Sequence, residues 1–452
     1  MSSNELTESL RKLAIAIRKM IDEGISNGSI QPEDETYFRW KVEKFQYTDK
    51  GVTDQSAHGE YFTEKSWFRA IIKLEELVKK SNEYSSTMEH LNNIFGKSSN
   101  FSYYLDRFVT SLISQYLNAP QTKEKDADSL ITIFLKDLHE EPVNCGAEVD
   151  LQGIVLRPEK IETSFGITLR QTRVEDLERE IPAHGFMMGY FLPNPSAIMR
   201  IELLGKGTQE IQKMVERAIT ILRLFKVGGI KWDSYALFSE SIINIVSGRI
   251  TSGQPGPALE TYLIEQEDVP KLKQFWKAVS DSLPESFFWI STPADYLTIA
   301  YRRYSDALLQ NGLLERRIAN AVMGLEALIL KPGEVQELPY RLGIRISKLF
   351  ALLGHNPHET KRIINDAYKV RNLFAHGGQL DYRAKKRLES RYKDIKNLLL
   401  SIMNYLRILT IVMMLSRREK DEFIDLIDDS LVDRKQEEQL NGVISQAREV
   451  LG

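Results

Sequence analysis

The sequence predicts an α+β chain that is mainly α, with a helical N-terminal region, a small α/β or β-rich middle module and a C-terminal all-α bundle. Three observations carry that reading. Apolar residues recur at helical spacing through Leu6 to Ile21, Tyr61 to Val78 and Phe101 to Leu117, the period of one buried helix face. From Ala147 the rhythm changes: Ala147, Val149, Leu151 and Val155 are set against Glu148, Asp150 and Gln152, as in a half-buried strand. Beyond Ala294 helical periodicity returns and holds to the end of the chain. The divisions expected from these shifts are 1–138 helical, 144–289 α/β, 294–416 helical and 417–452 a charged helical tail.

The elements follow in order. Tyr47 to Gly59 is polar and reads as a loop, and the charged run Gln121 to Asp128 as a boundary. Phe165 to Leu169, Gly185 to Leu192, Ala197 to Leu204 and Ile230 to Phe238 have strand composition, whereas Ile211 to Phe225 is helical again. Ser252-Gly253-Gln254-Pro255-Gly256-Pro257 is a loop by its punctuation. Asn397 to Ser416 is the most apolar stretch, but Asn404 and Arg407 interrupt it. It therefore predicts a buried core helix and no membrane span.

With 60 basic and 63 acidic residues the net charge is −3. Any affinity for nucleic acid must then come from a local basic patch. The single cysteine, Cys145, rules out an internal disulfide and a cysteine-based zinc site, and fits a reducing cytoplasm. Met1 to Leu6 has neither the basic nor the apolar part of a signal peptide. A cytoplasmic location is the expectation.

Arg371-Asn372-Leu373-Phe374-Ala375-His376-Gly377-Gly378 is the segment richest in chemistry. Asn356-Pro357-His358-Glu359 reads as an N-cap, a proline at N1 and a glutamate at N3. Ile364, Ala367, Arg371, Phe374 and Ala375 continue one face, and the two glycines supply a left-handed stop. Arginine offers a planar fork matched to phosphate oxygens, and histidine can take or give a proton near neutral pH. Asn372 and His376 stand four apart, so they are neighbours on the helix. On spacing alone, the plainer reading is a core ion pair plus a histidine interacting with the carbonyls at the helix C-terminus. Arg179 and His184 show that a comparable spacing arises without such a helix, since Pro182 falls between them.

From about Ala294 to Ser416 the chain resembles a HEPN domain (higher eukaryotes and prokaryotes nucleotide-binding), in particular its Apea-like branch. The resemblance rests on the helix Arg317 to Leu328 with Glu326 inside an apolar run, on Tyr368-Lys369-Val370-Arg371-Asn372-Leu373-Phe374-Ala375-His376-Gly377, and on a long closing helix from Ala384 to Ser416. It implies a HEPN helical bundle and metal-independent cleavage of RNA, whose 2′-hydroxyl is the nucleophile, with no cofactor and no metal. Arg371, Asn372 and His376 would be catalytic, and Glu326 and Tyr368 supporting. Two HEPN domains form one composite cleft in active members, so a chain with a single motif implies a homodimer or a higher homo-oligomer. The resemblance further implies a toxin-like or phage-defence endoribonuclease whose N-terminal regions sense an unidentified phage or cellular trigger. The alternative is a non-catalytic HEPN module that binds nucleotides, RNA or a protein.

Three further groups complete the reading. Arg383, Lys385, Lys386, Arg387, Arg391, Lys393 and Lys396 follow the double glycine. They form either a solvated helix face or an RNA-tracking patch, for which Arg383, Lys385, Lys386 and Arg387 are the candidates. His355 and His358 flank a helix entry without a third ligand. Gly205-Lys206-Gly207-Thr208 lacks the spacing of a phosphate loop and reads as a strand-to-helix turn with Thr208 as N-cap.

Overall fold

The structure, a computed structural model, describes residues 3–98, 100–118, 125–163, 165–178, 180–182, 195–244, 248–251, 261–289, 294–310, 312–378 and 380–452. Arg179, His184, the whole of the expected strand Gly185 to Leu192 and the expected loop Ser252 to Pro257 lie outside the described residues. Helix makes up 60% and strand 19%, so the chain is mostly helical, with a helical C-terminal region.

The first elements are α1 (Ser3–Ser26), β1 (Glu33–Thr48), β2 (Gly51–Ser66), α2 (Phe68–Val78), α3 (Asn82–Phe95), α4 (Asn100–Asn118) and α5 (Lys125–Leu138). Next come β3 (Val143–Gln152), β4 (Ile154–Leu156), β5 (Lys160–Glu162), β6 (Ile167–Gln171), β7 (Glu180–Pro182) and β8 (Ala197–Gly205). After α6 (Thr208–Phe225) follow β9 (Lys231–Ser239), β10 (Arg249–Thr251), β11 (Tyr262–Ile264) and α7 (Asp268–Ser280). The remainder is helical: α8 (Tyr296–Leu309), α9 (Leu314–Ile329), α10 (Leu338–Leu352), α11 (Pro357–Ala375) and α12 (Tyr382–Tyr392). Then come α13 (Ile395–Ser416), α14 (Lys420–Asp429), α15 (Arg434–Val443) and α16 (Ser445–Leu451).

The chain divides into two compact units, one of residues 1–149, 172–212 and 234–251, the other of 150–171, 213–233 and 252–452. In the first, α1 buries Leu6, Leu10, Leu13, Ile17 and Ile21, one stripe of its surface, in a core shared with Leu105, Phe108 and Leu112 of α4. Burying each such side chain contributes about 1.5–3 kcal/mol. Phe108 and Phe134 close the core with ring centroids 4.7 Å apart. Strand β9 lies between β10 and β3, and β8 lies on the other side of β3.

The reading of 47–59 as a loop is corrected: β1 and β2 form one long antiparallel hairpin from Glu33↔Ser66 to Thr48↔Gly51. Tyr61 to Ser66 accordingly belongs to a strand, and the helix expected from Tyr61 opens only at Phe68. Strand β2 carries almost no apolar alternation, so its strand state comes from pairing with the aromatic-rich β1. Phe38 packs edge-on against Trp40 of its own strand and against Tyr61 opposite, and Tyr37 stacks on Phe62 opposite; the two contacts between β1 and β2 are cross-strand pairs that stabilise sheets.

In the second unit β4 pairs with β11 in parallel and β5 with β6 antiparallel. Its main core is helical. Leu398, Leu399, Ile402, Leu406 and Leu409 of α13 are all fully buried, and α13 packs on α8, α9 and α11. At Gly324 of α9 a Cβ would stand 2.6 Å from Leu406 Cδ2, so a larger residue there would make the Leu406 side chain shift. The 22-residue α13 is long and apolar enough to cross a membrane, yet 78% of its most apolar window is buried inside the protein. Arg407, one of its two polar interruptions, donates to the carbonyls of Leu224 and Phe225 at 2.7 Å and to Asn404 Oδ1. It thereby satisfies the C-terminal end of α6.

The single closing helix expected from Ala384 to Ser416 is also corrected. It breaks at Lys393, whose φ is +64°, into α12 and α13. Asp394 caps α13 by accepting from the Lys396 amide at 3.1 Å, while Asn397 Nδ2 donates to the Tyr392 carbonyl at 2.7 Å. Local side-chain bonds of this kind compete with helix continuation.

Candidate functional site

Helix α11 begins where the sequence marks it. Asn356 Oδ1 accepts from the amides of His358 and Glu359, with Pro357 in the first turn. It ends equally sharply. Gly377 has φ +72°, its N–H donates to the Phe374 carbonyl at 3.1 Å, and the Gly378 N–H donates to the Leu373 carbonyl at 2.8 Å. These two bonds constitute a Schellman stop, and they fix His376 as the C-cap residue.

Between its ends α11 buries Thr360, Ile363, Ile364, Asp366, Ala367, Tyr368 and Val370. The expected apolar face is therefore corrected in its last turn: Leu373 and Phe374 are 38% and 37% exposed, and Ala375 and His376 are exposed as well. Burial stops at Val370, so the final turn projects out of the helical core.

Arg371 stands at that margin. Its Nη2 donates to Glu326 Oε2 of α9 at 3.1 Å, and its Nη1 donates to Asn372 Oδ1 at 3.2 Å. The guanidinium carbon lies 5.5 Å from the Tyr368 ring centroid, close enough for a cation–π contact. Two buried atoms here, Arg371 Nε and Glu326 Oε1, have no hydrogen-bond partner among the described residues. Burial, with the negative charge of Glu326 beside it, pushes the Tyr368 phenol up to about 12. A guanidinium can only donate, so the atom of Asn372 that faces Arg371 must be its oxygen. The NH₂ of Asn372 is thereby turned away as an oriented donor, one turn before the exposed imidazole of His376.

Arg383, Lys385, Lys386 and Arg387 are exposed on α12, which starts just past the double glycine. Helix α12 is tied to α11 through the buried Asp366. Its Oδ2 accepts from Arg391 Nη1 at 2.7 Å and from the Tyr392 hydroxyl at 3.1 Å. Between the two helices lies a cleft of about 310 Å³ that Asn372 and Arg387 line together with Asp366, Lys369, Leu373 and Leu388. Sequence reading missed this cleft and the part Asp366 plays in it. The only local signal is Asp366 and Lys369 three apart on one helix, a spacing too common to single out.

The other candidates sit apart from this cluster. His355 packs its ring against Phe350 and Tyr405. Helix α6 opens at Thr208, and Glu210 accepts from the Lys206 amide at 2.8 Å. Among the described residues there is no group of three or more His, Cys, Asp or Glu side chains placed to hold a metal ion. No protein-family model, curated protein or solved structure matches the chain.

Proposed function

We propose that the end of α11 is one half of an RNA-cleaving site of HEPN type, completed by a second copy of the chain across a two-fold axis. The observation that carries this reading is the projecting last turn. There a positioned arginine, an oriented amide donor and an exposed imidazole stand within six residues beside a basic helix. His376 removes the proton of the ribose 2′-hydroxyl, whose oxygen attacks the adjacent phosphorus. The P–O5′ bond breaks, and the partner's imidazole supplies the proton that the departing oxygen takes up. Arg371 and the Asn372 NH₂ stabilise the charge on the phosphoryl oxygens, Glu326 and Tyr368 hold the guanidinium, and Arg383, Lys385, Lys386 and Arg387 attract the strand. The exposed Phe374 gives the last turn apolar surface that an isologous partner would cover. The rest of the chain serves to sense or regulate, as in a toxin-like or phage-defence ribonuclease acting in the cytoplasm.

The protein should cut RNA in EDTA and leave 2′,3′-cyclic phosphate and 5′-hydroxyl ends. DNA and 2′-O-methyl RNA should survive. His376→Ala should abolish cleavage while costing only about 0.3–1 kcal/mol of stability, the scale of a helix-end charge effect. Wild-type cleavage by His376→Ala would leave the second reading, a non-catalytic module that binds nucleotides, RNA or a protein. The intramolecular pairing of Arg371 with Glu326 favours that reading, because it balances the guanidinium's charge without any ligand.

A further inference from the structure

We propose that the cleft between α11 and α12 receives one unstacked base of a single-stranded RNA and prefers a base bearing an exocyclic amino group. The inference rests on reading α11 as an RNA site, and it names the feature of the strand that is read beside it. The cleft, about 310 Å³, lies at the small end of ligand pockets, which span about 300–1,000 Å³. It has room for a single ring system and excludes a helix. Val370, Leu373 and Leu388 give it apolar walls, while Asp366, Lys369, Asn372 and Arg387 bring polar groups to it. That mixture suits the flat, apolar faces and polar edge of a base.

The polar groups have a defined sense. Asp366 has Oδ2 engaged by Arg391 and Tyr392, whereas Oδ1 faces only Lys369 Nζ, at the longer distance of 3.5 Å. An oxygen with acceptor capacity left over complements the exocyclic amino group of a base. Cytosine, adenine and guanine each carry such a group, and carboxylates accept from the cytosine amino group in known base readout. Uracil presents no amino group.

Charge and access agree with a strand as the occupant. Arg383, Lys385, Lys386 and Arg387 make no ion pair among the described residues, whereas Arg362, Lys369 and Arg391 nearby are each paired with a carboxylate. Arg387 lines the cleft, and with Arg383 one turn before it on α12 it fits a ligand with a polyanionic backbone. Tyr382, 77% exposed at the start of α12, adds a ring face on which a neighbouring base can stack. A paired base cannot enter a cleft of this size, so the surface selects single strands.

The test uses full-length His376→Ala protein, so that binding is read without cleavage. Anisotropy with fluorescent oligo(A), oligo(C) and oligo(U) of equal length should show adenine and cytosine favoured over uracil by about tenfold. Adding Ala384→Leu, which extends a half-buried side chain lining the cleft, should bring all three to the oligo(U) level. Equal affinities for the three oligomers, or a preference that survives Ala384→Leu, would overturn the pocket. Should Ala384→Leu fail to fold, photocrosslinking of 8-azidoadenosine RNA to the parent protein decides. Label is expected on the peptides between Asp366 and Leu388, and label confined to other peptides rejects the proposal. Cleavage without base preference sinks the pocket alone, whereas the absence of both RNA binding and cleavage sinks it together with the RNA reading.

Discussion

Two arginines of the helical unit, Arg345 and Arg371, both bind carboxylates, yet one is saturated and the other is not. Arg345 of α10 is 2% exposed. Its Nε and Nη2 donate to Asp428 at 2.8 and 2.6 Å, Nη1 and Nη2 donate to Glu334 at 2.7 and 2.6 Å, and Nη1 also donates to the Ile329 carbonyl at 3.0 Å. Those bonds use every N–H that a guanidinium possesses. Arg371, its side chain 26% exposed, makes two longer bonds and leaves Nε buried without a partner. The saturated arginine joins α10 to α14 and to the end of α9, and has nothing left for a ligand. The other holds donors in reserve at a surface, at some cost in stability. Unspent hydrogen-bonding capacity at a margin of the core marks a site better than the mere presence of an arginine beside a carboxylate.

Removing each arginine should separate these roles. Arg345→Ala takes the shared cation from two carboxylates, leaving Glu334 only Arg341 as an ion-pair partner among the described residues, and should cost about 3–5 kcal/mol. A denaturant titration would measure it, and a loss below 1 kcal/mol would mean the network contributes no more than an exposed pair. Arg371→Ala should cost less, on the order of 2–3 kcal/mol, because it deprives one carboxylate of its cation and Arg345→Ala deprives two, but it should also remove RNA cleavage. Glu326→Ala should lower stability and leave partial cleavage, since Asn372 still holds the guanidinium. Complete loss of cleavage in well-folded Glu326→Ala protein would make the carboxylate more than a support.

A graded effect should appear with pH. Hydrogen bonding to Arg345 holds Glu334 down to about 2, below the ordinary 4.5. Its stabilisation is therefore present above about pH 4.5 and is lost as pH falls through about 2. Tyr368 is shifted the opposite way, from 10 up to about 12. Folding favours its neutral phenol, so this contribution holds below pH 10 and disappears as pH rises through 12. Stability curves of Glu334→Gln should flatten the acid limb only, and those of Tyr368→Phe the alkaline limb only. The reverse assignment would show that the two clusters are not independent.

The sequence by itself determined the local pieces for which a side chain and its backbone partner lie within a few residues. Asn356, Pro357 and Gly377 mark both ends of α11, because an N-cap and a left-handed stop need no distant partner. The alternating run of β3 and the helical stripe of α1 were legible for the same reason: their periods follow from backbone geometry alone. Tertiary structure decided what depends on partners far along the chain. Strand β2 exists because β1 pairs with it, although its own residues read as a loop. The end of burial at Val370 depends on where the neighbouring helices stop, which no periodicity in α11 records. The contact of Glu326 with Arg371 spans 45 residues, and Asp366 joins α12 to α11 over 25 and 26. Sequence singled out the arginine, the amide and the imidazole. Only packing determined that the first is anchored, the second turned outward and the third left open to solvent.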